Sequence, residues 1–172
     1  METPSWEKLP AEYSTALGQL ALGASELDIL LTDMAAVFLE VDIFRAIAVF
    51  HHQQPANKVS TLKALCHVIY REDDGSEMVG IEKITGVFDR AKIEMDYRNT
   101  LIHAYWVVDR DGKPHRVRFS ARGKVERNRQ PVEVEEIREH VRVIRGLLGE
   151  LREMREALRS DMKPGPGARL PP

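Results

Sequence analysis

The chain has 172 residues, a formal net charge of −2, and 43% hydrophobic, 30% charged and 6% aromatic side chains. That composition fits a helix-rich globular domain. It excludes a global basic field that would draw the molecule onto nucleic acid, so any such attraction is local. The one cysteine, Cys66, excludes an internal disulfide framework and fits a reducing, cytoplasmic setting. Residues Met1 to Trp6 carry neither the basic nor the apolar stretch of a secretory signal. The richest apolar run, Met34 to Leu39, is far too short to span a bilayer, so no membrane partner is expected.

Leu17, Leu20, Ala24, Leu27, Leu31, Met34 and Phe38 recur at alternating three- and four-residue steps, which predicts one long helix with an apolar stripe. Pro10 suits its start. A short helix is predicted over 43–51, with Phe44, Ile47 and Phe50 inward. Gln53-Gln54-Pro55 ends it, because a residue before proline avoids the helical region. A third helix over about 58–70 would bury Val59, Leu62, Leu65, Cys66 and Ile69. Arg71 to Gly75 reads as a charged turn, and Ser76 as an N-cap with Glu77 in the first turn. The fourth helix would turn Ile84, Val87, Phe88, Ala91, Met95 and Ile102 inward and end near Tyr105.

The pattern then changes. Trp106-Val107-Val108, the Asp111-Gly112 turn signal and the period-two run Arg116 to Ser120 predict a β-hairpin over about 106–120, followed by a loop to Pro131. A last helix from about 132–134 carries Val134, Ile137, Val141, Ile144, Leu148, Leu151 and Leu158 at heptad-like steps. The Pro- and Gly-rich residues 161–172 read as a disordered tail. The expectation is a single domain over 1–160. It is an all-α, antiparallel bundle of four to five helices with a small β-hairpin inserted before the last helix. Two stripes are long enough to leave a seam for a partner helix, which predicts a homodimer.

The chemistry concentrates in Tyr97-Arg98-Asn99-Thr100-Leu101-Ile102-His103-Ala104-Tyr105-Trp106. Arg98 is a permanent cation able to hold a phosphate. His103 can exchange protons near neutral pH. Arg, four residues, then His is a cheap pattern. Arg110 and His115 repeat it around a turn, where it is given no role. On an ideal helix Arg98 and His103 stand about 140° apart, whereas Asn99 and His103 share a stripe. Arg98 and His103 therefore converge only through Arg's reach, a kink, or a cleft against a second subunit.

Arg98-Asn99-x-Leu101-Ile102-His103-Ala104-Tyr105-Trp106 resembles the signature of the HEPN superfamily (higher eukaryotes and prokaryotes nucleotide-binding domains). That signature is an Arg, a polar residue straight after it, and a His four to six residues on. The layout over roughly 12–160 is similar in pattern, and the hairpin looks like an elaboration. The resemblance implies a metal-independent endoribonuclease of the toxin or defence type. It would work as a homodimer whose motifs line one cleft. Arg98 would then bind the scissile phosphate, His103 would act as general base or acid for attack by the RNA's own 2′-hydroxyl, and Asn99 would orient His103 or hold a phosphate oxygen. It also implies two alternatives. One is a non-catalytic RNA- or nucleotide-binding or regulatory dimer. The other is a toxin silenced when a nucleotidyltransferase antitoxin transfers AMP to Tyr105. For Tyr105 itself, half-buried packing at a helix end is the favoured reading.

Arg110, Lys113, Arg116, Arg118, Arg122 and Lys124 follow the motif closely, with Arg127 and Arg129 beyond them. They read equally as a footprint for an RNA backbone or as a solvated hairpin face. Trp106 suits packing under the hairpin better than stacking on a base. His51-His52 and His67 lack zinc-like spacing, and there is no Gly-rich phosphate loop or carboxylate cluster, so no metal or cofactor is expected.

Overall fold

A computed structural model of the chain describes residues 9–70, 80–120 and 126–161. Along the chain run α1 (Ala11–Phe38), α2 (Ile43–Phe50), α3 (Pro55–Ile69), α4 (Ile81–Ile102), β1 (Tyr105–Val108), β2 (Pro114–Ser120), β3 (Glu126–Pro131) and α5 (Val134–Asp161). The described residues are mostly helical, with one small antiparallel sheet in the order β1-β2-β3. Among them no helix is long and apolar enough to cross a membrane. The expected turn and cap over 71–77 and the tail from 162 onward lie outside the described residues; Asp161 itself closes α5.

The hairpin is one strand short of the observed sheet. The segment expected to be a loop up to Pro131 pairs with β2 as a third strand, in a register that sets Val117 opposite Arg129 and Arg116 opposite Gln130. Arg127 to Gln130 has no apolar alternation, and Asn128, Arg129 and Gln130 are exposed. A polar edge strand of this kind is held by its ladder and carries no hydrophobic signal.

The chain divides into two compact units. The first comprises Met1–Ser25 and Ile93–Arg145, the second Glu26–Lys92 and Gly146–Pro172. In the first unit the core is Tyr13, Ala16 and Leu20 from α1, Leu101 from α4, Val107 and Val117 from the sheet, and Ile137, Val141 and Ile144 from α5. The Tyr13 hydroxyl donates to the carbonyl of Val132 at 3.0 Å, fixing the approach to α5. Gly23 lies against α5: a Cβ there would stand 3.0 Å from Cγ2 of Ile144.

In the second unit, Leu27, Leu31, Met34 and Phe38 of α1 are buried with Phe50 of α2, Val59, Leu62 and Cys66 of α3, Phe88 and Ala91 of α4, and Leu148 and Leu151 of α5. The rings of Phe38 and Phe88 meet edge to face, 6.4 Å apart. Three inward expectations shift. Phe44 is 79% exposed, while Ala46 and Phe50, four residues apart, form the buried line of α2. Phe44 stands about 200° from Ala46 and so faces away. Ile69 is exposed where α3 ends. Ile102 is exposed as well, because the buried line of the last α4 turns runs through Glu94 and Leu101, with Arg98 half-buried between them.

Candidate functional site

Helix α4 stops at Ile102, short of the end expected near Tyr105, and Tyr105 opens β1. The backbone N–H of His103 donates to the carbonyl of Asn99 at 3.2 Å, and that of Ala104 to Leu101 at 3.3 Å. Trp106 Nε1 also donates to the Leu101 carbonyl, at 3.1 Å, and its ring sits edge-on to Tyr13, 6.4 Å away. The indole thus gives this helix-end carbonyl a second donor beside the Ala104 N–H. Trp106 is a packing and capping group here.

Arg98 is half-buried. Its Nη1 donates to Oδ1 of Asn99 at 2.8 Å, and its Nε is buried without an acceptor among the described residues. His103 is exposed and joined to Asn99 through the last-turn backbone bond. The side chains of Arg98 and Asn99 come together, and the His103 ring is not part of that hydrogen-bonded pair. Tyr105 is 40% exposed at the start of β1.

Of the cations after the motif, Arg110, Lys113 and Arg118 are exposed, and Arg122 and Lys124 lie outside the described residues. Arg116 is half-buried. It pairs across the ladder with Trp106 and, through Nη2, donates to Oε1 of Gln130 at 2.5 Å. Its Nε, like that of Arg98, is buried and lacks an acceptor among the described residues. The turn between β1 and β2 is built by Asp109, whose Oδ1 accepts from the N–H groups of Asp111 and Lys113 at 3.0 and 2.8 Å. Gly112 takes φ +79 there, a region that glycine enters without strain. His115 lies 2.9 Å from Oδ2 of Asp109. That hydrogen bond, with the turn's backbone donors, holds the Asp109 carboxyl below its ordinary range.

The structure adds a group of residues that spacing did not reveal. Glu94, on α4, is only 5% exposed, and its Oε2 lies 2.6 Å from Nδ1 of His140 on α5. The ring of Tyr97 stacks on that of His140, with centroids 3.5 Å apart and planes within 18°. The Tyr97 hydroxyl donates to Oε1 of Glu136 at 2.8 Å. Burial, then the bond to Glu136, pushes the Tyr97 phenol well above its ordinary range, so it remains a proton donor. Glu94, Tyr97 and Arg98 fall at i, i+3 and i+4, on one side of α4. Nothing in the linear sequence ties position 94 to position 140. The only trace is a carboxylate set into an otherwise buried helical line.

Elsewhere, the second unit holds a cleft of about 640 Å³ between α1, α2 and α5. Its cations are matched by carboxylates: Asp33 accepts from Arg155 at 2.7 Å and from Arg159 at 3.1 Å, and Glu26 pairs with Arg152. Among the described residues no three His, Cys, Asp or Glu side chains are grouped to hold a metal ion. Comparison with protein-family models, with curated proteins and with solved structures returns no match for this chain.

Proposed function

We propose that the chain is a HEPN-type endoribonuclease of the toxin or defence kind that needs no metal and acts as a homodimer. The observation that carries this reading is Arg98: a half-buried guanidinium, braced by Asn99 at 2.8 Å. A planar cation held in place by a neighbour suits a phosphate better than a free surface arginine does. In the reaction, a 2′-oxygen loses its proton and bonds to phosphorus, and the bond to the 5′-oxygen breaks. That oxygen leaves as a hydroxyl once protonated. Arg98 holds the phosphate and the charge that develops on it, and the exposed His103 transfers a proton. Arg110, Lys113, Arg116 and Arg118 follow within the turn and β2 and supply the local field for an RNA backbone. Ile102 and Tyr105, both exposed, flank His103 and give the motif end an apolar surface suited to a second copy.

The test is incubation of the purified protein with structured RNA in EDTA, beside Arg98→Ala and His103→Ala. Cleavage by the wild type, reduced about a hundredfold or more in each variant, is the expected result. Salt-sensitive RNA binding with no cleavage by any of the three would replace the nuclease with a binding module. One observation favours a second reading. The exposure of Tyr105 is what a side chain that accepts AMP from a nucleotidyltransferase antitoxin needs. Intact-mass analysis of the protein co-expressed with such an enzyme tests it. An AMP adduct lost in Tyr105→Phe supports that reading, and no adduct removes it.

A further inference from the structure

Cleavage by 2′-hydroxyl attack needs two proton transfers, one from the nucleophile and one to the leaving oxygen. The motif offers one side chain of a type that exchanges protons near neutral pH, His103. We propose that His140, held by Glu94 and Tyr97, is a second catalytic residue and acts as the general base, leaving His103 to protonate the 5′-oxygen. This inference rests on the ribonuclease reading and extends its site from α4 to α5.

The geometry is that of an oriented base. The buried Glu94 carboxylate lies 2.6 Å from Nδ1, so the ring N–H donates to it and Nε2 becomes the nitrogen that accepts a proton. When Nε2 takes the proton of a 2′-hydroxyl, the imidazolium forms beside a carboxylate already in place, the arrangement that stabilises a charged base. Tyr97 stacks on the ring at 3.5 Å and fixes its plane. The His140 side chain remains 25% exposed, so the ring is held but not sealed. Tyr97 immediately precedes Arg98 in α4, and Glu94 stands one turn before it. The base therefore lies against the same helical turn that presents the phosphate-binding guanidinium. The proton goes from the 2′-oxygen to Nε2, the new P–O bond forms as the bond to the 5′-oxygen breaks, and His103 donates a proton to that oxygen. The step is redox-neutral and needs no further reactant.

The groups that face His140 are Glu94 and Tyr97 from α4 and, through the Tyr97 hydroxyl, Glu136 from α5; the positive charge of Arg116 on β2 also reaches Tyr97. The experiment is a pH–rate profile of RNA cleavage in EDTA for the wild type, His140→Gln, Glu94→Gln and His103→Ala, with RNA affinity and thermal melting measured in parallel. The expected result is that His140→Gln loses about a hundredfold in rate at unchanged affinity and loses the acidic limb of the profile. Glu94→Gln keeps the ring's hydrogen bond but removes the charge beside the imidazolium. Its rate should fall about tenfold at unchanged RNA affinity and melting, a split that a purely structural role would not give, even if His140→Gln folds poorly. A wild-type rate and profile in Glu94→Gln and His140→Gln, with His103→Ala inactive, would overturn the role of His140 and leave the ribonuclease standing. Absence of cleavage by the wild type would overturn both.

Discussion

Lys58 is the residue whose placement most departs from its type. Its side chain is fully buried, and Nζ donates to Oδ1 of Asp28 at 2.6 Å and to Oγ1 of Thr32 at 3.0 Å. A buried ammonium is tolerable only when paired and hydrogen-bonded. Removing the partner is therefore worse than removing the charge. Asp28→Ala should destabilise the protein by about 3 kcal/mol, toward the low end for a broken buried pair because Asp28 itself is partly exposed. Lys58→Met, which removes the charge and fills the same space, should be less damaging. Urea unfolding of both variants measures this; equal losses would mean that the ion pair is not what holds α1 against α3. The pairing was not legible in the sequence, since Lys58 reads as a polar residue at the start of a helix. The same holds for Glu94 and His140. Arg98, Asn99 and His103 were legible because they are neighbours on one short segment, whereas a dyad closed across two helices leaves no local spacing.

Elements defined by long stripes were read well from the sequence, and short or polar ones less well. The stripes of α1 and α5 repeat over many turns, so burial follows their period. Helix α2 has eight residues, too few for the period to choose among five large apolar side chains. Its cap decides where it starts. Asp42 lies in an extended conformation, and its Oδ1 accepts from the N–H groups of Phe44 and Arg45 at 3.0 and 3.1 Å. Those donors would otherwise be unfilled. Asp42→Ala should cost about 1 kcal/mol, and Asp42→Asn appreciably less. Equal losses from the two would assign the effect to charge rather than to the cap. Strand β3 is illegible in the sequence for the opposite reason from α2: its polar residues give no alternation to read, and only the ladder with β2 defines it.

At the scale of the whole molecule, titration sets the limits of stability. Burial pushes the Cys66 thiol up to about 12 from an ordinary 9.0, and burial first also raises Tyr13 and Tyr97 above an ordinary 10.0. In each case the unfolded chain gives up its proton at lower pH than the folded one. Stability from these groups is thus complete below about pH 9 and falls as pH rises past the ordinary values. Urea midpoints at about pH 8 and about pH 10.5 should show the drop, and Cys66→Ala should reduce it. An unchanged midpoint would mean that these groups are not held protonated by the fold.

The functional claim turns on which bonds change at the phosphate. The most direct measurement is end-group analysis of RNA cut by the wild-type protein in EDTA. Attack by the neighbouring 2′-hydroxyl, with Arg98 holding the phosphate, must leave 2′,3′-cyclic phosphate and 5′-hydroxyl ends, and these should vanish in Arg98→Ala. Ends bearing a 3′-hydroxyl and a 5′-phosphate, or cyclic-phosphate ends that persist undiminished in Arg98→Ala, would contradict the assignment of this site.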